Sequence, residues 1–312
     1  MKVVVVHGGA GAWPDDRLGK ALNGLEEALR AGFLVLESGG SALDAVEEAV
    51  ANMEDNEVFN AGTGSALNLA GEVEAEASIM DGSTLAAGAV ALVRTVKNPV
   101  RLARLVMEET DHVLIVGRAA EKMAEAFGLE KGELKTEDRI RAWEEGLAKL
   151  RSGQARYFRK LPALLSKLPE LGPPGTVGAL ALDDRGRLAA ATSTGGVMLK
   201  LPGRLGDTSQ IGAGTYADEF GACSATGIGE VAIRLGLARM ACLFMRLGLR
   251  AREAAEACMD IVARRFPWAP MGVITLDAGG GVGAAHTSDK MPWGYMTDRA
   301  KGPQVFAKAT GR

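Results

Sequence analysis

The chain has 312 residues, 47% of them hydrophobic, and a formal net charge of only -3. That length allows one large or two ordinary domains with a sizeable core, and the near balance of charge supplies no field that would draw the chain to nucleic acid or to an acidic membrane. Its 41 glycines follow no collagen period and point to tight turns, while Cys223, Cys242 and Cys258 lack metal-ligand spacing and read as buried thiols of a reducing compartment.

The predicted elements begin with Val3 to Val6, a buried strand feeding the loop His7-Gly8-Gly9-Ala10-Gly11-Ala12. The apolar run is far too short for a signal segment or a membrane span, so a cytoplasmic location is expected. A helix is expected from Asp15 to Leu36, stopping at Gly39-Gly40, and a second from an N-cap at Ser41 with Leu43, Val46 and Val50 on one face. Residues 56 to 64, polar and glycine-bearing, read as a loop. Glu72 to Met80 and Leu85 to Val93 form a hairpin about Asp81-Gly82, Asn98-Pro99 opens a helix, and His112 to Val116 is a short strand. From Glu130 to Pro174 the composition turns to Lys, Arg and Glu with weak apolar periodicity, which reads as a linker with transient helix. A second hairpin pairs Val177–Asp183 with Arg187–Thr194. Helices follow over Gly229–Leu247 and Ala251–Arg264, then strands at Val273–Leu276 and Val282–His286. Hairpins and paired helices in both halves favour stacked antiparallel sheets flanked by helices.

The step Gly175-Thr176 is the feature with chemical content. A threonine hydroxyl is a weak nucleophile, but an N-terminal threonine carries its own base, an α-amine with a pKa of about 7.7 to 8.0. Cleavage before Thr176 would unmask it: the hydroxyl attacks the Gly175 carbonyl and water hydrolyses the ester. Gly175 tolerates the strained backbone, and Pro173 and Pro174 restrict the approach.

Other constellations are weaker. Gly8-Gly9-Ala10-Gly11 lacks the third glycine of a dinucleotide fingerprint, Pro14 standing in its place, and Gly212-Ala213-Gly214 lacks the context of one. His7, His112 and His286 show no ligand pairing and read as structural. Leu201-Pro202-Gly203-Arg204-Leu205-Gly206-Asp207 sets a cation and an anion three residues apart: either a solvated turn, or a grip on a zwitterion in which Arg204 forks a carboxylate and Asp207 accepts from an ammonium. Ser224 to Glu230 opens a helix, where Thr226 serves as an ordinary cap or, with backbone amides, hosts an oxyanion.

HGGAGA, FNAGTGSALN, MDGSTLAAGAVA, GTVGALALD, AAATSTGG, LPGRLGD, ATGIGE and KMPWGY occur in this order along the whole chain. Together they resemble the plant-type L-asparaginase and isoaspartyl peptidase family of N-terminal-nucleophile hydrolases. The resemblance implies an α+β fold, a four-layer αββα sandwich in a single domain spanning 1–312. It implies self-cleavage into an α subunit (1–175, ending in the 130–175 linker) and a β subunit (176–312), assembled as (αβ)2. The implied substrates are L-asparagine and β-aspartyl dipeptides, with no nucleic acid or membrane partner. Thr176 is the implied nucleophile, Thr194 the hydroxyl that polarises it with Thr192 on the same strand, and Asn60 a neighbour. Arg204 to Asp207, including Leu205 and Gly206, grip the substrate head group. Thr226 and Gly227 form the oxyanion hole, Ile228 and Gly229 line the pocket, and Gly9 and Gly11 belong to the loop near the site. No cofactor is required, but the carbonyls of Met53, Glu54, Asn56, Phe59, Ala61 and Thr63 are similar to a loop that wraps a structural sodium ion. In two places the chain departs from its relatives: Ile228 where a small or hydroxyl residue is common, and Pro174 where a polar one is.

Overall fold

A computed structural model describes residues 1–151 and 176–309. Gly175, the two prolines before it and residues 152–172 lie outside them, and so does the bond of the expected cut.

Two sheets organise the chain. The larger contains β1 (Val3–His7), β2 (Ala75–Asp81), β3 (Ala87–Val93), β4 (Leu114–Val116), β5 (Val177–Leu182), β6 (Leu188–Thr194), β11 (Trp293–Thr297) and β12 (Gln304–Phe306), in the order β12-β11-β1-β5-β6-β2-β3-β4. The smaller contains β7 (Thr215–Ala217), β8 (Gly221–Gly227), β9 (Met271–Asp277) and β10 (Val282–His286), in the order β10-β9-β8-β7. Neighbours are antiparallel except β3 and β4.

The reason for the apolar runs is visible in the packing. Successive side chains of a strand point to opposite faces. Val4, Val6, Ala179, Ala181, Ala189 and Ala191 accordingly enter one core with α1 (Asp15–Glu37), α2 (Ala42–Glu54) and α3 (Pro99–Glu109). Val3, Val5, Leu180, Leu182, Leu188 and Ala190 enter another with Ala222, Ile274 and Leu276 of the smaller sheet. A third core joins β8 and β9 to α7 (Leu237–Arg246) and α8 (Ala251–Arg265). A strand buried on both faces has no polar side to show, so it reads as a continuous run.

Local chemistry sets several boundaries. Ser41 caps α2 reciprocally: its hydroxyl accepts from Asp44 N at 3.1 Å and the Asp44 carboxylate accepts from Ser41 N at 2.9 Å, a box contributing about 1 kcal/mol. Asn98 stands at the N-cap of α3 but its amide donates to Asp55 Oδ1 at 3.1 Å instead of capping. A short helix, α4 (Arg118–Ala126), follows β4.

Three expectations change. Residues 130–151, read as linker, contain α5 (Glu137–Arg151); Leu134 and Leu147 are buried, and the Trp143 indole donates to Asn68 O at 3.0 Å. A few large anchors suffice to hold a helix whose remaining residues are charged, and the other part of the expected linker lies outside the described residues. The helix expected over Gly229–Leu247 is two, α6 (Gly229–Leu235) and α7, because Gly236 has φ 58°, the left-handed turn that ends a helix. Ser224 to Gly227 do not open a helix; they finish the buried strand β8. The three cysteines are buried free thiols, and none of the described helices is long and apolar enough to cross a membrane.

Candidate active site

Thr176 immediately precedes β5 and is 5% exposed. Its hydroxyl donates to Thr194 Oγ1 at 3.2 Å, a long contact of the kind that tightens when a substrate arrives. The pairing of β5 with β6 creates this meeting, setting Val177 opposite Ser193 so that the residues just beyond each come together. Thr194 Oγ1 also accepts from Gly196 N at 2.9 Å. The glycine loop after β1 lies over Thr176: a Cβ on Gly9, whose φ is 110°, would stand 2.9 Å from Thr176 O and 3.3 Å from its N. One residue further, Ala10 N donates to Thr226 Oγ1 at 3.1 Å. The same loop therefore touches the expected nucleophile and the expected oxyanion donor. An accepting hydroxyl keeps its own proton to give, as an oxyanion donor must.

Asn60 sits behind Thr194. Its amide donates to Gly196 O at 2.8 Å, its Oδ1 accepts from Ala66 N at 2.6 Å, and its carbonyl accepts from Gly195 N at 3.0 Å. Thr192 lies two residues along β6 in a buried line of hydroxyls. Ser78 Oγ is 2.7 Å from Thr215 Oγ1, Thr215 donates to Thr192 at 2.5 Å, and Ser224 Oγ lies 2.8 Å from Thr192 Oγ1 and 2.9 Å from His7 Nε2. Burial pushes the His7 pKa down to about 3, against an opposing pull from the Thr176 main chain, so the imidazole at the end of this line is neutral.

The second half of the site is charged. Gly229 separates its two expected grips, since a Cβ there would fall 2.8 Å from Asp207 Oδ1 and 2.9 Å from Arg204 Nη2. Asp207 is buried, and its Oδ2 has no hydrogen-bond partner among the described residues. Burial raises its pKa to about 7, partly offset by its own main chain and by Arg204. A buried carboxylate oxygen lacking a donor suits an ammonium. Arg204 donates from Nε and Nη2 to the two oxygens of Glu230, each at 2.9 Å. Its pKa is raised: burial, the largest influence, acts downward and is outweighed by Glu230 and the other carboxylates nearby. Gly206 N donates to both oxygens of Glu76 (2.8 and 3.0 Å), Ser209 Oγ donates to Glu76 at 2.7 Å, and Gly203 N donates to Glu74 at 3.0 Å. Buried Lys200 closes the set, donating to Glu74 O at 2.6 Å. The loop of residues 200–209 is thus strapped to the start of β2. Leu205 is half-buried within that loop, and the Ile228 side chain turns away into the core beneath α7.

The whole chain carries known relatives. A family model described as asparaginase matches residues 1–305. The plant-type L-asparaginase of Pyrococcus horikoshii is 48% identical over 306 residues, covering 98% of this chain and 99% of its own. The isoaspartyl peptidase/L-asparaginases of Danio rerio and Mus musculus are 43% and 44% identical, covering 94% and 93% of this chain and 91% and 86% of their own.

The chain belongs to the asparaginase family. Within this asparaginase-family site, sequence reasoning passed over Glu74, Glu76, Lys200, Ser224, Glu230 and the neutral His7. The acids had left a trace, the alternation Glu72-Val73-Glu74-Ala75-Glu76 at the head of a strand whose other face is apolar. The expected sodium loop offers oxygen ligands of the right chemistry. Glu54 O accepts from Thr63 N at 2.7 Å, Asn56 O from Phe59 N at 3.1 Å and Met53 O from Asn56 N at 3.3 Å, each keeping a second lone pair; Phe59 O accepts from the Arg139 guanidinium at 2.7 Å. Oxygen-only donors of this kind suit a hard monovalent cation, but Phe59 O already faces the Arg139 cation, which leaves the other carbonyls as the better ligands.

Proposed function

We propose that this chain is a self-activating threonine hydrolase that cleaves the side-chain amide of L-asparagine, giving L-aspartate and ammonia, and the isopeptide bond of β-aspartyl peptides. The observation that carries the reading is the convergence on Thr176 of the Thr194 hydroxyl and of a glycine loop that also holds Thr226.

In this reading the Gly175–Thr176 bond is cut first, releasing the Thr176 amine. Arg204 takes the substrate α-carboxylate and Asp207 its α-ammonium, which aims the β-carbonyl at Thr176. Thr176 Oγ attacks that carbon as the amine accepts its proton, with Thr194 orienting the oxygen. The oxyanion is held by the Thr226 hydroxyl and the Gly227 amide. The intermediate collapses by breaking the C–N bond, the proton passes to the leaving nitrogen, and ammonia or the peptide amine departs. Water then attacks the β-aspartyl ester and restores the threonine. Leu205, Gly206 and Gly229 shape the pocket around the head group, and Ile228 contributes its backbone there.

The same reading includes a four-layer αββα sandwich, which the three separate cores support, an (αβ)2 assembly, a cytoplasmic location and a sodium ion of purely structural role in the Met53–Thr63 loop. The experiment is intact-mass analysis with product assay. Wild type is expected as fragments ending at Gly175 and starting at Thr176, releasing aspartate and ammonia from asparagine, whereas Thr176→Ala stays one inactive polypeptide. A Thr176→Ala protein that still splits and hydrolyses asparagine overturns the assignment.

A further inference from the structure

The loop that carries Asn60 is held by arginines from two distant helices. Arg139 of α5 donates from Nη2 to Phe59 O at 2.7 Å and from Nε to Gly64 O. Arg17 of α1 donates to Val58 O at 2.8 Å. The fork of Arg139 therefore spans the turn whose ends are Phe59 and Gly64, with Asn60 one residue inside it.

This placement is costly. Burial, and after it the neighbouring Arg17, push the Arg139 pKa down to about 10, with exposed Asp138 the opposing influence. A half-buried guanidinium with no facing carboxylate among the described residues needs well-aimed dipoles, and the two carbonyls are those dipoles. From this turn a short line of bonds reaches the reacting oxygen. Asn60 bonds Gly195 N and Gly196 O, Gly196 N donates to Thr194 Oγ1, and Thr194 Oγ1 accepts from Thr176.

We propose that Arg139 is a positioning residue, whose planar fork clamps the Phe59 and Gly64 carbonyls and so fixes Asn60 and the Thr194 hydroxyl against Thr176. The inference rests on the reading of Thr176 as nucleophile. It assigns a role to a segment that composition marked as linker. Because the line ends on Thr194 and not on Arg204 or Asp207, it acts on the chemical step and leaves recognition of the head group alone.

The test compares wild type, Arg139→Met and Arg139→Lys on asparagine, with rates normalised by intact mass to the quantity of chain beginning at Thr176. Arg139→Met is expected to melt cooperatively, to lose about ten- to a hundredfold in kcat, and to keep KM within about twofold of wild type. Millimolar ethylguanidinium is expected to restore part of that kcat, and sodium chloride at equal ionic strength to restore less. A kcat within twofold of wild type, a matching loss in KM, or equal rescue by both salts overturns the proposal. If Arg139→Met does not fold, Arg139→Lys decides, since it keeps the charge and loses the fork: a wild-type kcat sinks the clamp. A wild type that fails to hydrolyse asparagine speaks against the hydrolase reading itself, whereas an active wild type with an equally active variant speaks against Arg139 alone.

Discussion

The two sides of the site are buried by opposite means. Thr176 bonds the Thr194 hydroxyl and lies under glycine backbone, and the buried line of Thr215, Thr192, Ser224 and His7 is neutral, although Glu76 pairs opposite Thr194 across β2 and β6. Around Gly229 the groups are ionic, with Arg204, Asp207, Glu230, Glu76 and Lys200 in one loop region. Under the proposed function, the contrast matches the chemistry each side would have to do. An amine that must be uncharged near neutrality is best left near its ordinary pKa, and a carboxylate or cation beside it would move that value. A zwitterion gives up strong hydration on binding and needs fixed counter-charges in return.

Exchanging charge for neutrality on the ionic side is the most disruptive way to test this contrast. Asp207→Asn is expected to raise KM for asparagine by two orders of magnitude or more, about 3 kcal/mol or above, with a smaller change in kcat, as steady-state kinetics will show. Next comes the border between the two sides: Thr226→Ala removes the proposed oxyanion donor and is expected to lower kcat by roughly two to three orders of magnitude, with KM little changed. On the neutral side, Thr194→Val keeps the shape and deletes the hydroxyl. It is expected to reduce kcat by about tenfold or more while the melting temperature moves by a few degrees, since one buried hydrogen bond contributes about 1 kcal/mol.

The pH profile separates the two sides in another way. Asp207 has a raised folded pKa of about 7, so between its unfolded value and that point the folded state holds the extra proton. Its contribution to stability is therefore largest at low pH and declines as pH rises through about 7. Recognition runs the other way, because only the ionised carboxylate attracts the substrate ammonium: KM is expected to fall as pH increases towards and past 7. Melting curves of Asp207→Asn are expected to lose this part of the pH slope, and a KM flat from pH 5.5 to 8 contradicts the assigned role. The smallest effect belongs to Glu230→Gln, which leaves Arg204 in place with a weaker partner: KM is expected to rise a few-fold at constant kcat.

The legibility of the sequence follows the same division. Val3 to Val6 and β5 announce themselves because burial on both faces leaves no polar side chain in them, β6 shows the same run only up to Ala191, before its buried Thr192-Ser193-Thr194 end, and Ser41 marks its helix by a cap that is local in sequence. The proposed nucleophile, Thr176, was visible because glycine, threonine and the motif around them are contiguous. Glu76 was not, since its meaning comes from Gly206 and Ser209, 130 and 133 residues away. His7 was equally opaque: only the Ser224 contact and complete burial distinguish a neutral imidazole from a surface histidine. In α5, buried Leu147 and the tryptophan Trp143 outweigh a run of surface charge, a balance that composition averages away.

The order of strands in the larger sheet also constrains what a break before Thr176 could accomplish. Residues preceding that point supply β1, which is seated between β11 and β5, and β2, which is zipped to β6. The two pieces would be woven together like the fingers of clasped hands, so processing could change the chemistry of one terminus while shedding nothing. Neither piece alone has the neighbours its own strands require, and separately expressed halves should remain insoluble until they are co-refolded.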